Sequence, residues 1–326
     1  MNGSTSGGGV RRRALYTGGA LELSTLTLSV GPVGPGAVDV GAVGLLRKAL
    51  EAGITTFDMT DAPDPALADA LLARAFPSPD PRIVVLCSGR PAGRARDPGS
   101  SAPPRPPGVS TPDSPRGRRG GPGRFYQLPE VEVSDLSGPE DGPGAGLPPR
   151  VALPSTPFVA RCRSLDDVEL AARLPPPRIL SGPFSLLERA LPAAAMRRLG
   201  RDGFSWIARD PFAGGRLDGT LFARGSPVAP IPQPRTVREL EAEFGPVARL
   251  GFLARPRRRT LAQAALHFVV DTPGVVTACL GIPPVERWDE IVGFGGSPPL
   301  DDEELKQVVS LPGAERDRVA SEGHRR

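Results

Sequence analysis

Leu45-Leu46-Arg47-Lys48-Ala49-Leu50-Glu51-Ala52-Gly53-Ile54-Thr55-Thr56-Phe57-Asp58 is the stretch whose reading decides the fold. Across 38–52 apolar residues recur at 42, 45, 46 and 49, the period of a helix with one buried face. Gly53 then supplies the helix stop, and 54–58 reads as a short buried strand ending on a carboxylate. Working outward, 25–29 is a strand before this helix. Residues 64–76 form a helix after it, with Leu67, Leu71 and Leu72 on one side, and 83–87 is the next strand. Strand, helix, strand, helix, strand in close succession implies parallel βα units.

The pattern repeats further along. Strands are expected near residues 128, 159, 180, 206 and 277, and helices over 164–172, 186–199 (interrupted near Pro192), 236–244, 260–270, 284–292 and 301–309. Three helix starts carry a capping box, Ser164 with Asp167, Thr236 with Glu239 and Thr260 with Gln263. Ahead of them all, 14–16 and 21–23 flank Thr17-Gly18-Gly19 as a small hairpin. Eight βα repeats predict an α/β fold of the (β/α)8, or TIM-barrel, type. A doubly wound sheet is the alternative, but no G-x-G-x-x-G follows an early strand. The barrel should span 12–312, between a flexible N-terminus (1–11) and a polar tail (313–326). Helices are missing after strands three and four, where 91–123 and 137–156 are Pro/Gly/Arg-rich and lack the apolar residues to offset ordering entropy.

The net charge of +4 is local: 90–124 holds eight arginines and two aspartates, so the rest of the 326-residue chain is slightly acidic. This reads as a solvated insert, or as a docking segment for an anionic or protein partner, not as a specific nucleic-acid face. No run of eighteen apolar residues suggests a membrane span. Cys87, Cys162 and Cys279 lack short metal spacing, and an odd count suits a reducing, cytoplasmic setting. All three close strands and could face one end of the barrel as a thiolate site, but buried thiols are the commoner outcome, and no metal is expected.

Five motifs, in order, resemble the aldo-keto reductases: Ala52-Gly53-Ile54-Thr55-Thr56-Phe57-Asp58; Asp210-Pro211-Phe212-Ala213-Gly214-Gly215-Arg216-Leu217-Asp218-Gly219; Thr260-Leu261-Ala262-Gln263-Ala264-Ala265-Leu266; Pro273-Gly274-Val275-Val276 with Gly281; and the closing Asp301–Leu305. The resemblance covers 12–90 and 157–310. It implies NADP(H) or NAD(H) extended across the barrel top and hydride transfer to a small carbonyl substrate. A tyrosine acid is then tuned by a lysine and an aspartate, with a histidine orienting the substrate. Chemically, hydride arrival creates an alkoxide that a positioned acid must protonate.

Carried over residue by residue, the resemblance places the catalytic aspartate at Asp58. Pro63 stands at the tyrosine position, Gly89 or Arg90 at the lysine position and Pro129 at the histidine position. The whole chain has two tyrosines (Tyr16, Tyr126), two lysines (Lys48, Lys306) and two histidines (His267, His324), and of these only Tyr126 could end up near a strand terminus. Ser-Asn at the carboxamide position appears as Arg161-Cys162, and glutamine as Ser181. The cofactor-contacting positions that remain are Phe184 (stacking aromatic), Asp210, Phe212, Gly215, Leu217, Gly281, Arg287 (with Pro283 at the phosphate-binding arginine) and Glu290. Trp206 should lie near the cofactor path. Asp58 with Asp61 could form an acid/base pair, or the site could hold a residual buried carboxylate, or one paired with an arginine such as Arg161 or Arg209. Three functions follow: a catalytically impaired barrel or pseudoenzyme, an active NAD(P)H-dependent reductase using Asp58 and Tyr126, or a scaffold acting through the basic insert.

Overall fold

The computed structural model describes residues 10–15, 21–30, 40–62, 65–88, 125–133, 157–200, 203–220 and 236–311. Strands β1 (Arg12–Ala14) and β2 (Glu22–Ser24) pair antiparallel as a hairpin. Eight further strands, all parallel, close a barrel: β3 (Leu26–Ser29), β4 (Thr56–Asp58), β5 (Val84–Ser88), β6 (Tyr126–Glu132), β7 (Val159–Arg161), β8 (Ile179–Pro183), β9 (Ser205–Arg209) and β10 (Val275–Leu280). These are the eight strands the sequence predicts. The wall at β5, β6 and β7 is complete: Leu86 pairs with Leu128, and Val131 with Ala160.

Around the barrel lie α1 (Val40–Glu51), α2 (Pro65–Ala75), α3 (Leu165–Ala171), α4 (Ala190–Leu199), α5 (Val237–Ala248), α6 (Leu261–Val270), α7 (Trp288–Val292) and α8 (Asp302–Ser310). The three expected capping boxes form, at Ser164, Thr236 and Thr260, and a fourth sits at Asp301. Several boundaries differ from the sequence reading: the first hairpin strand is Arg12–Ala14, not 14–16, and the helix expected over 284–292 begins at Trp288 after a tighter turn at Val285–Arg287. The helix after β8 starts at Ala190, not 186, because the Ser185 hydroxyl accepts from the N–H groups of Leu187 and Glu188 and makes a turn there instead. Pro192 therefore lies in the first helical turn, where a missing N–H is tolerated. α5 continues through Pro246 to Ala248. The low-complexity inserts at 91–123 and 137–156 lie outside the described residues, as do the tail beyond 312 and residues 1–9.

Strand alternation divides the apolar residues into two layers. Val84, Leu86, Leu128, Val159, Ile179 and Ile207 fill the barrel interior. Phe57, Val85, Val131, Ala160, Leu180 and Trp206 face the helices. At the N-terminal end of the strands the hairpin seals the interior with Leu15 and Leu23, both fully buried. Ser205 Oγ donates to the Leu15 carbonyl, and the Arg13 guanidinium donates to the carbonyls of Val270 and Val275, the latter at 2.9 Å.

Helix α8 is held by two arginines that precede α6. Arg259, fully buried, donates to the carbonyls of Leu253 (3.0 Å), Pro298 (3.2 Å) and Pro299 (2.7 Å) and to the Glu304 carboxylate. Arg255 reaches Glu304 at 3.0 Å and Asp301 at 2.7 Å. No helix among the described residues is long and apolar enough to cross a membrane.

One close approach decides the fit of sheet to helices. A Cβ on Gly182 in β8 would stand 2.6 Å from the Cys162 carbonyl oxygen and 3.0 Å from the Trp206 ring. The first obstacle is backbone and cannot swing away. Gly182→Ala should lower stability by about 1–3 kcal/mol, the usual cost of overpacking a dense interior. Urea denaturation of the variant against the parent checks this, and an unchanged midpoint would contradict it.

Candidate functional site

The C-terminal ends of the strands form the mouth, where barrel sites lie. Alternation turns Asp58 (β4), Glu130 (β6), Ser181 (β8) and Arg209 (β9) inward at this level. Arg209 is the hub. Its Nη1 donates to Asp58 Oδ2 at 2.8 Å, its Nη2 to Glu130 Oε2 at 2.6 Å and to Thr60 Oγ1 at 3.0 Å, and its Nε to Glu130 Oε1 at 3.2 Å. Asp58 Oδ1 accepts from the Thr60 hydroxyl (2.7 Å) and amide (3.1 Å). Ser181 Oγ donates to Glu130 Oε1. The Asp58, Glu130 and Arg209 side chains are 1%, 3% and 9% exposed. A second tier lies nearer solvent. Arg161 grips Asp61 at 2.7 and 3.1 Å, and Arg163 grips Glu132 at 2.6 and 2.9 Å.

The electrostatics follow from these contacts. Burial by itself would disfavour the Arg209 charge, but the Asp58 and Glu130 carboxylates outweigh it and push its pKa further up. Burial likewise works against the Asp61 carboxylate, yet the hydrogen bonds and charge of Arg161 hold it below the usual range. Glu132 is lowered by its hydrogen bonds with Arg163. The open alternatives for the aspartates thus resolve into ion pairs, Asp58 with Arg209 and Asp61 with Arg161. Asp58 accepts at both oxygens and is no free base.

None of the six residues that could rebuild a Tyr–Lys–His set is at the mouth among the described residues. Tyr126 opens β6 and, like Leu21, packs against the interior cluster that contains Leu15 and Leu23. Four strand residues, about 13 Å, separate it from the level of Glu130. Lys48 pairs with Asp289 at 3.5 Å and lies 5.2 Å from the Trp288 ring centre. Lys306 is on the exposed face of α8, 4.0 Å from Glu303. His267 is buried in α6 with Nδ1 2.9 Å from Asp271 and Nε2 3.0 Å from the Ser297 carbonyl. Tyr16 and His324, like Pro63, Gly89 and Arg90, lie outside the described residues. Pro129 pairs opposite Cys87 within the sheet, and the inward residue of β6 at the mouth is its neighbour Glu130. Sequence reasoning missed Glu130, although the alternation Tyr126, Leu128, Glu130, Glu132 carries the signal.

The three thiols diverge. Cys279 faces the barrel interior, Cys162 packs in the layer between sheet and helices, and Cys87 lies in the field of Asp69 on α2. Burial raises the pKa of each, that of Cys87 to about 11.

The expected cofactor positions split into two groups. At the nicotinamide end, Phe184 is 4% exposed with its ring 5.4 Å from Phe268, so no face is open for stacking. Ser181 is bonded to Glu130, Arg161 to Asp61, and Cys162 is buried. Trp206 is fully buried on the helix side of the sheet, not beside a cofactor path. These residues do not fit a nicotinamide. The other expected positions lie in the segments after β9 and β10. Asp210 adopts φ +50° and its carboxylate accepts from the Gly214 N–H at 2.8 Å, which winds a tight turn with Ala213, Gly214 and Gly215 also at positive φ. Phe212 and Leu217 tuck under this turn, while Gly281 is exposed after β10. Arg287 clasps Glu290 at 2.8 and 3.0 Å, and its Nη1 would stand 3.5 Å from a Cβ on Gly219. Glu290 also accepts from the Thr260 hydroxyl at 2.6 Å. Burial works against the Glu290 charge, but these partners hold its pKa below the ordinary value.

By sequence, neither a protein-family model nor a curated protein matches the chain. By structure, the chain resembles the holo form of an aldo-keto reductase from Bacillus halodurans, with TM-score 0.61 and 16% identity over 94% of this chain and 97% of that one. It also resembles a glycerol dehydrogenase from Gluconobacter oxydans (TM-score 0.58, 15% identity, 93% and 94% covered). A third similar structure is an aldo-keto reductase complexed with NADPH (TM-score 0.54, 11% identity, 94% and 89% covered). The chain has the aldo-keto reductase fold.

Proposed function

We propose that this chain is a divergent aldo-keto-reductase-like barrel, by descent an NAD(P)H-dependent carbonyl oxidoreductase, whose mouth no longer reduces carbonyls. The observation that carries this reading is the Arg209 guanidinium lying between Asp58 and Glu130. Reduction of a carbonyl leaves an alkoxide that needs a proton from a positioned acid. Arg209 keeps its proton, because both neighbouring carboxylates stabilise the charged form. Asp58 is saturated by Arg209 and Thr60. Loss of one general acid typically costs on the order of 10²–10⁴ in rate.

The nicotinamide end supports the same reading, since Phe184, Ser181 and Arg161 are committed to protein partners. Arg287 and Glu290 remain the residues to test for the adenosine half of such a cofactor. A role for 91–123 in docking an anionic or protein partner is a separate proposal.

The test is turnover. Purified protein mixed with NADPH or NADH and a panel of simple aldehydes should show no oxidation of the nucleotide above the enzyme-free rate. Steady oxidation that Asp58→Asn abolishes would overturn the proposal.

A further inference from the structure

We infer that the cavity formed by the turn ahead of α6 binds a small organic phosphate. This inference is independent of whether the barrel mouth is active. The cavity has a volume of about 530 Å³ and is lined by residues 254–261 and by Gln263. That size falls within the range of small-molecule sites. Its lining combines the apolar Pro256 and Leu261 with Arg257, Arg258, Thr260 and Gln263.

The charge balance around the turn points to an anion. Four arginines fall within five residues. Two of them are matched, Arg255 by Asp301 and Glu304, and Arg259 by Glu304 and three backbone carbonyls. Arg257 and Arg258 are exposed and have no partner among the described residues. Their positions are nevertheless defined. Arg255 and Arg259 pair across the turn, N–H to carbonyl at 2.8 Å and 2.9 Å in the two directions. Arg257 is held at φ +60°, a left-handed conformation that a side-chain-bearing residue rarely adopts. The buried Arg259 fixes the base of the turn.

The first turn of α6, which follows directly, adds donors. Thr260 Oγ1 caps the Gln263 N–H, which leaves the N–H groups of Leu261 and Ala262 without an acceptor among the described residues. Free N–H groups at a helix start and two unmatched guanidiniums recognise a phosphate by charge-assisted hydrogen bonds. The apolar surface beside them favours an organic phosphate over the bare ion.

Adenosine 5′-monophosphate, adenosine and inorganic phosphate serve as probes in calorimetric titration of the full chain. The nucleotide should bind saturably and more tightly than either fragment. Combined R257A and R258A should weaken it at least about tenfold without moving the melting temperature, because charge-assisted contacts are lost from an exposed turn. In the unaltered protein, hydrogen exchange should slow over 255–263 when the nucleotide is added. No saturation at millimolar nucleotide would overturn the proposal. So would protection confined to 210–219 and 287–290, which would place the ligand at the adenosine end of the mouth. Phosphate binding as tightly as the nucleotide would also refute it, by removing any role for the apolar wall.

Discussion

Arg209→Met should destabilise the protein by about 3–5 kcal/mol, the usual cost of removing one partner from a buried ion pair. The arginine side chain is 9% exposed and, among the described residues, is the only cation within hydrogen-bond reach of both Asp58 and Glu130. Without it, two buried carboxylates face one another with Thr60 and Ser181 as hydrogen-bond donors and Arg161, 3.8 Å from Glu130, as a more distant cation. Methionine keeps most of the volume, so the loss measured by urea denaturation reports on charge and not on a void. The control is a triple variant adding Asp58→Asn and Glu130→Gln, which removes the orphaned charges. Replacing a whole buried ionic cluster by neutral groups is often close to neutral, so the triple variant should recover most of the loss. Recovery of none would mean that the cluster matters through packing alone.

The second large effect is expected at Arg259. Its side chain is wholly buried and joins the loop before α6 to the carbonyls of 298–299 and to Glu304 on α8. Arg259→Leu leaves Glu304 and three carbonyls under-bonded and should cost about 3–5 kcal/mol. The penalty should depend on pH. Burial works against the Glu304 charge, but the Arg259 hydrogen bond and the Asp301 backbone contact prevail and lower its folded pKa. A lowered folded pKa means that stabilisation is present above the ordinary glutamate value of 4.5 and is lost as pH falls below it. The gap between parent and variant should therefore narrow on acidification below pH 4.5. Thermal unfolding at neutral and acid pH measures it, and a gap independent of pH would show that Glu304 does not supply it.

Much of the fold was legible because its signals are local. A glycine stop before Ile54, three capping boxes and short β-branched runs each report on a few neighbouring residues, and all eight strands followed from them. The site was less legible because it depends on which face a residue takes. Reading Pro129 as the mouth residue of its strand rests on family spacing, whereas pleat alternation selects Glu130. Phe184 has the residue type of a stacking aromatic, but the turn at Ser185 carries it into the layer beneath α6. Cys87, Cys162 and Cys279 all close strands, yet each points to different surroundings. The pairing of Asp58 with Arg209 was one of several open possibilities. Choosing between Arg161 and Arg209 requires the barrel to bring together residues 151 apart in sequence.

The hairpin seal has a consequence for how the chain comes to be folded. Arg13 binds the carbonyl of Val275, 262 residues later, and Leu15 receives its hydrogen bond from Ser205, 190 residues later. During synthesis the hairpin emerges well before the surface it docks on, since that surface includes the final strand of the barrel. At roughly 5–20 residues per second, Leu15 and Leu23 wait on the order of 15–50 s before the interior they cover exists. Through that interval two fully apolar side chains of the nascent chain lack their folded cover. Chains cut short before β10 would remain uncorked there, a lasting invitation to chaperones and to aggregation.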